Sequence, residues 1–236
     1  MRRWYVTSSA ILIPARYNST RFPGKPLTPL HNIPMVRMVY EACRKTGIDT
    51  YVLTDDMRIF NRFGSEICWI EEEHIAPYRN GTERCAGAIT QWDKLKQYDQ
   101  FINVQGDMPD VTHDMIKKAR WHLQHYPVTT VFTQMQEDKQ NDPNSVKMVR
   151  AGDQALWFGR GMTGYGDWHL GVYGYKRNAL EMYPTLQVEQ EEQIEKLEQL
   201  RWLKNGWNIG CLSVQYNGVE INSPEDVDIW HKQNSQ

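Results

Sequence analysis

Along most of the chain, short apolar runs alternate with segments whose apolar residues recur at helical spacing. "AILI" (10–13) reads as a strand ended by Pro14. In "MVRMVYEACRKTG" (35–47), Met35, Met38, Val39 and Ala42 fall on one helical face and Gly47 is a stop signal. "TYVLT" (50–54) predicts a strand, "DDMRIFNRFG" (55–64) a helix and "EICWI" (66–70) a strand. "TERCAGAITQWDKLKQ" (82–97) predicts a helix capped by Thr82 with Arg84 in its first turns. "QFINVQ" (100–105) predicts a strand ending at Gly106–Asp107, "VTHDMIKKARWHLQHY" (111–126) a helix and "VTTVFTQM" (128–135) a strand.

The second half is less regular. "SVKMVR" (145–150), "ALWFGR" (155–160) and "HLGVYGYK" (169–176) read as strands. "EEQIEKLEQLRWLKNG" (191–206) has the clearest helical pattern, with Ile194, Leu197, Leu200 and Leu203 on one face and Gly206 as its stop. "IGCLSVQY" (209–216) reads as a strand, and "SPEDVDIWHKQ" (223–233) as a helix with Ser223 as N-cap and Pro224 first. Continuous apolar strands between helices predict a mostly parallel sheet covered by helices. Ligands of such sheets collect at the carboxyl ends of strands. "IPARYNSTRFPGK", "LTDD" and "NVQGD" each follow a strand, so topology gathers three polar clusters on one edge.

Composition narrows the class. The chain has 236 residues, 40% hydrophobic and 24% charged, as in an ordinary globular protein. No apolar run approaches the roughly 20 residues of a membrane helix. The first apolar stretch is only about five residues, against roughly 7–15 in a signal peptide; the expected location is cytoplasmic, with no membrane partner. Cys43, Cys68, Cys85 and Cys211 lack zinc-site or C-x-x-C spacing and are expected as buried free thiols. A formal net charge of −2 argues against nucleic acid as a partner.

That charge is unevenly spread. Residues 1–40 hold six Lys or Arg and no acid before Glu41. Arg16, Arg21 and Lys25 share a segment stiffened by Pro14, Pro23 and Pro26, which lowers the entropy cost of holding like charges together. A P-loop is ruled out because its first glycine is missing and Pro26 follows Lys25. From charge alone a solvated surface loop is favoured; an anion held by guanidinium and ammonium groups is the alternative. Asp107, likewise, is either a turn residue after Gly106 or a ligand.

The motifs decide between these readings. "IPARYNSTRFPGKPL" (13–27), "NGTER" (80–84), "NVQGDMP" (103–109), "HLGVYGYK" (169–176), "EKLEQLRWLKNG" (195–206) and "NSPEDV" (222–227) resemble, in order, the signatures of the 3-deoxy-manno-octulosonate cytidylyltransferases (CMP-Kdo synthetases). The resemblance covers nearly the whole chain. It implies an α/β, Rossmann-like nucleotidyltransferase fold and a homodimer using CTP, Mg²⁺ and a sugar-acid substrate in lipopolysaccharide biosynthesis. Residues 1–135 and 205–236 would form the nucleotide-binding core of a single domain (1–236), and residues 136–204 a smaller sugar-acid and dimerisation subregion.

The resemblance also implies roles. Pro14, Ala15, Arg16, Arg21, Lys25, Thr82, Arg84 and Gln105 would bind the nucleotide, with Arg16, Lys25 and Asp107 catalytic. Gln105, Arg160, His169, Tyr173, Glu198 and Gln199 would hold the sugar acid; His74 is a weaker candidate, and Glu192 with Lys196 reads as a surface pair. His113, His122 and His125 look like surface or structural residues. Asp107 and Asn222 would hold the metal. The chain departs from the pattern at Asn222, where the family has aspartate, so metal affinity should fall unless Asp226, Glu220 or substrate compensates. Met108 replaces a glutamate, and the segment 161–168 is short. A non-catalytic nucleotide-binding homologue, or an enzyme for a different sugar acid, fits the same departures.

Overall fold

The computed structural model describes residues 7–18, 22–71 and 78–235. Arg21 and His74 lie outside them. The apolar run at the start forms β1 (Ser9–Ala15), and a two-residue hairpin, β2 (Pro29–Leu30) and β3 (Ile33–Pro34), leads into α1 (Met35–Arg44). Then follow β4 (Asp49–Thr54), α2 (Met57–Phe63), β5 (Cys68–Ile70), α3 (Gly81–Gln91), β6 (Gln100–Val104), α4 (His113–His122) and β7 (Val128–Thr133). The second half contributes β8 (Lys147–Ala151), β9 (Gln154–Gly159), β10 (Asp167–Lys176), α5 (Arg177–Met182), α6 (Gln190–Glu195), α7 (Leu200–Lys204), β11 (Ile209–Ser213) and α8 (Pro224–Gln233).

Nine of these strands form one sheet, in the order β5-β4-β1-β6-β10-β7-β11-β9-β8. The sheet is mixed. β5, β4, β1 and β6 run parallel, as do β7 and β11, while β10 lies antiparallel between β6 and β7. Strand β8 pairs with both β9 and β10. The short segment 161–168 thus runs from the end of β9 straight into the first residues of β10.

Apolar side chains fill both faces. Leu12, Leu53, Phe101 and Tyr175 pack with residues of α3, α5 and α7 on one side. Ile11, Ile13, Val52 and Ile102 pack with α1 and α4 on the other. Each fully buried Ile or Leu stabilises the fold by about 1.5–3 kcal/mol. All four cysteines are buried and free.

Two expectations are corrected. Asn80, not Thr82, caps α3: its side chain accepts the Glu83 N–H at 2.8 Å, while Thr82 is buried two residues further in. The segment 191–206 is not one helix. Lys196 adopts a left-handed conformation (φ 56°), and α6 and α7 are separate short helices. Ile194 is therefore 66% exposed, while Leu197 and Leu200 are buried.

The break serves a buried ion network. Arg201, fully buried, donates to Glu192 at 2.6 and 2.8 Å and to Glu83 at 2.9 Å. Glu192 therefore pairs with Arg201 inside the protein, not with Lys196 on the surface. Arg79 adds a further contact to Glu83 at 2.7 Å. His122 is also buried, 3.3 Å from Asp153, and is structural.

This network ties the start of α3 to α6 and α7. Burial opposes the charge of Glu83, but Arg79 and Arg201 hold its carboxyl below the ordinary range. Its contribution to stability is thus present above about pH 4.5 and lost as pH falls below that. Arg201→Ala leaves two buried carboxylates without their common partner. Urea denaturation at pH 7 should show a loss of about 3–5 kcal/mol; a loss under about 1 kcal/mol would mean that the network is not closed in solution.

Candidate active site

The loops after β1, β4 and β6 meet at the carboxyl edge of the sheet. The first is shaped from within. Gly24 has φ +74°, its N–H donates to the Tyr17 carbonyl at 3.0 Å, and a tight turn at Lys25–Leu27 follows. Only glycine holds such a positive φ without cost. The Tyr17 N–H donates to Asp55 at 3.0 Å, and the Arg58 guanidinium stacks 3.3 Å from the Tyr17 ring centre. The loop is thereby anchored to "LTDD".

The third loop lies directly against the first. A Cβ at Gly106 would stand 3.0 Å from the Pro14 carbonyl oxygen, tighter than ordinary contact, so a side chain there would push the two backbones apart. Asp107 then faces Lys25. The ammonium donates to Asp107 Oδ2 at 2.5 Å and to the Ile221 carbonyl at 3.1 Å. The Ile221 N–H donates in turn to the Asp107 carbonyl at 3.1 Å. The loop before α8 is thus fastened to the same point.

Pro14, Ala15, Arg16, Lys25, Arg84, Gln105 and Asp107 all line one cleft of about 200 Å³. Asn80 and Gly81 bring the amino end of α3 to its wall. The partial positive charge of that helix end adds to Arg16 and Lys25, and together they favour an anion. Arg84 is held differently: nearly fully buried, it pairs with Glu71 at 2.9 Å and Asp55 at 3.6 Å.

Behind the cleft lies a second polar group. Glu198 accepts the Thr82 N–H at 2.9 Å and the Gln105 side-chain N–H at 3.2 Å. Burial raises its carboxyl above the ordinary range. The Thr82 hydroxyl shares a hydrogen bond with Tyr175 at 2.9 Å, so Thr82 faces this group and not the cleft. His169 and Tyr173 project together from β10, their rings 5.3 Å apart. Burial, with the charge of Arg160, pushes the His169 imidazole down to about 3, so it is neutral at pH 7. Gln199 is buried with its Nε2 unpartnered. Arg160 donates to the carbonyls of Glu195 (3.2 Å) and Asn144 (2.8 Å).

Asn222 does not join Asp107 in this cleft: with Glu220 it lines a separate cavity of about 150 Å³. Burial and the charge of Asp107 raise the Glu220 carboxyl to about 7. Residue patterns had not singled out Asn80, Glu71 or the Lys25–Asp107 contact. The "LTDD" cluster was a signal for Asp55; nothing local signals a pairing between residues 82 positions apart. Among the described residues no group of three or more His, Cys, Asp or Glu side chains is arranged to hold a metal ion.

The family model described as cytidylyltransferase matches residues 10–209. Relatives from Shewanella halifaxensis and Shewanella piezotolerans, named 8-amino-3,8-dideoxy-manno-octulosonate cytidylyltransferase, are each 37% identical over 93% of this chain and 95% of their own. The solved structure of a CMP:2-keto-3-deoxy-manno-octonic acid synthetase complexed with CTP is similar with a TM-score of 0.85 and 29% identity, over 98% of this chain and 99% of that one. A 4-diphosphocytidyl-2C-methyl-D-erythritol synthase from Anaerococcus prevotii, 10% identical over 98% of this chain and 99% of its own, shares the fold at a TM-score of 0.63.

The close approach of the two loops can be tested by Gly106→Ala. The added methyl pushes on the Pro14 carbonyl and should cost about 1–3 kcal/mol in urea denaturation. Calorimetric titration should show weaker binding of CTP. Wild-type values in both experiments would contradict the packing described.

Proposed function

Because the chain belongs to the cytidylyltransferase family, we propose that it transfers CMP from CTP to the anomeric hydroxyl of a Kdo-like 2-keto-3-deoxy sugar acid. The hydroxyl oxygen bonds to the α-phosphorus, the bond to the β-phosphate oxygen breaks, and pyrophosphate leaves; the hydroxyl proton passes to solvent. The observation that carries this reading is the convergence of Arg16, Lys25 and Asp107 on one cleft. Catalysis of this kind is mainly positioning and charge stabilisation.

In this reading Arg16 and Lys25 hold the β- and γ-phosphates and stabilise charge growing on the leaving group, and Arg21 belongs to the same set by sequence. Pro14, Ala15 and the start of α3 line the nucleotide's path. Arg84 acts from behind, through its carboxylate partners, by fixing the α3 end against the second loop. Gln105, held by Glu198, orients the sugar acid at the cleft's inner wall. His169, Tyr173 and Gln199 form the sugar side, with the neutral imidazole as a hydrogen-bonding group; Arg160 supplies positive charge nearby.

The donor chemistry fits Mg²⁺. This ion takes one or two protein carboxylates and completes its shell with water and phosphate oxygens. Asp107 would hold it from the cleft, while Asn222, which lines a second cavity, offers only a neutral oxygen. When bound, the ion neutralises phosphate charge and lowers the pKa of the sugar hydroxyl.

We extend the reading to a homodimer formed through residues 136–204, where Leu156, Tyr165 and Ile194 are exposed. No described helix is long and apolar enough to cross a membrane, and the substrates are soluble anions, so the reading places the reaction in the cytoplasm. Asn222 favours a second reading, a homologue that binds nucleotide without turnover.

Pyrophosphate release with CTP, Mg²⁺ and a panel of sugar acids, Kdo and its 8-amino-8-deoxy form among them, separates the two. Turnover should stop in Asp107→Ala and rise in Asn222→Asp at limiting Mg²⁺. CTP binding with no turnover on any sugar acid would establish the second reading.

A further inference from the structure

The His169 imidazole is neutral at pH 7, and a neutral imidazole has two forms. One carries its proton on Nε2 and accepts through Nδ1; the other does the reverse. The surroundings of Thr130 choose between them.

Phe132 and Thr130, two apart on β7, are the cross-strand partners of His169 and Tyr173 on β10, so all four side chains share one face. The register shifts between Leu170 and Tyr173. This bulge brings the Val172 carbonyl to the Thr130 hydroxyl, which donates to it at 2.9 Å. The same hydroxyl oxygen lies 2.9 Å from His169 Nε2 and 3.5 Å from the Leu170 carbonyl. A hydroxyl has one proton to give, and a carbonyl can only accept. With that proton on a carbonyl, the Thr130 oxygen meets the imidazole as an acceptor, and Nε2 must carry the ring proton. Were the proton turned to His169 instead, the Thr130 and Val172 oxygens would face each other at 2.9 Å with no hydrogen between them. Both Thr130 and His169 are buried, so water does not take over either bond.

Nδ1 is then left as an acceptor. The bulge that fixes the ring also reaches the cleft: the Gly171 carbonyl accepts the N–H of Gln105, a cleft residue, at 3.4 Å. Resting on the reading that His169 touches the sugar acid, we propose that Thr130 is a positioning residue. It holds His169 in the Nε2-protonated form, so that Nδ1 accepts a hydrogen bond from a sugar hydroxyl. The sugar carboxylate, itself only an acceptor, is thereby turned away from this imidazole.

The test is nitrogen NMR of protein carrying labelled histidine, at pH 7, with the His169 signals assigned by their loss in His169→Gln. The wild type should show a protonated Nε2 and a bare Nδ1 before any substrate is added. Thr130→Val, close in shape but without the hydroxyl, should move the proton in part to Nδ1. It should also raise KM for the sugar acid turned over in the panel above roughly 3–10-fold, the worth of one hydrogen bond, with KM for CTP unchanged. Thr130→Ser keeps the hydroxyl and should show wild-type behaviour in both measurements. Circular dichroism melting verifies that each variant is folded. A proton on Nδ1 in the wild type, or an unchanged proton position in Thr130→Val, would overturn the role of Thr130. A moved proton with an unchanged sugar KM would overturn the contact assigned to Nδ1. A wild type that turns over none of the panel, or an unchanged sugar KM in His169→Gln, would overturn the underlying reading as well.

Discussion

Lys25 and Asp107 stand 82 residues apart in sequence, yet their side chains meet at 2.5 Å. Lys25 belongs to a loop with Arg16, where like charges repel; Asp107 sits on a neighbouring loop with a second acid, Asp110. Each loop carries charge of one sign, and the contact between them lets both stay near the same cleft. Because the Lys25 ammonium also holds the Ile221 carbonyl, it fixes the loop before α8. Three chain segments depend on this junction. A triphosphate and a divalent cation, one negative and one positive, are what such an arrangement can separate and hold.

The scaffold reaches this point by backbone approach more than by side-chain packing. Gly106 lets the third loop rest on Pro14, and the left-handed Gly24 turns Lys25 inward. The amino end of α3 is set against the cleft by Arg84 with its two carboxylates, and against the second half of the chain by Glu83 with Arg201. The left-handed Lys196 separates α6 from α7 and brings Glu198 to Thr82 and Gln105. The cleft and the polar group behind it are thus connected through the first turns of one helix.

Much of this was readable beforehand. Continuous apolar runs marked β1, β4, β6 and β7 because strands covered on both faces have no polar side. The polar clusters after three of them marked the edge where the cleft lies. Local pattern failed where a tertiary contact overrode it. The leucine stripe of 191–206 asks for one helix, but the buried Arg201 network and Glu198 ask for a turn within it. Thr82 looks like a cap by residue type, yet Asn80 is better placed and Thr82 is drawn inward to Tyr175. β10 has the same apolar character as β6 and β7 on either side of it, and sequence pattern alone does not show that it enters the sheet reversed.

The most direct measurement is a crystal structure of the protein with CTP and Mg²⁺. The account requires the β- and γ-phosphates against Arg16 and Lys25, with the α-phosphate beside Asp107 in the same cleft. Nucleotide bound at another surface, or in this cleft with its phosphates turned away from both Lys25 and Asp107, would contradict it.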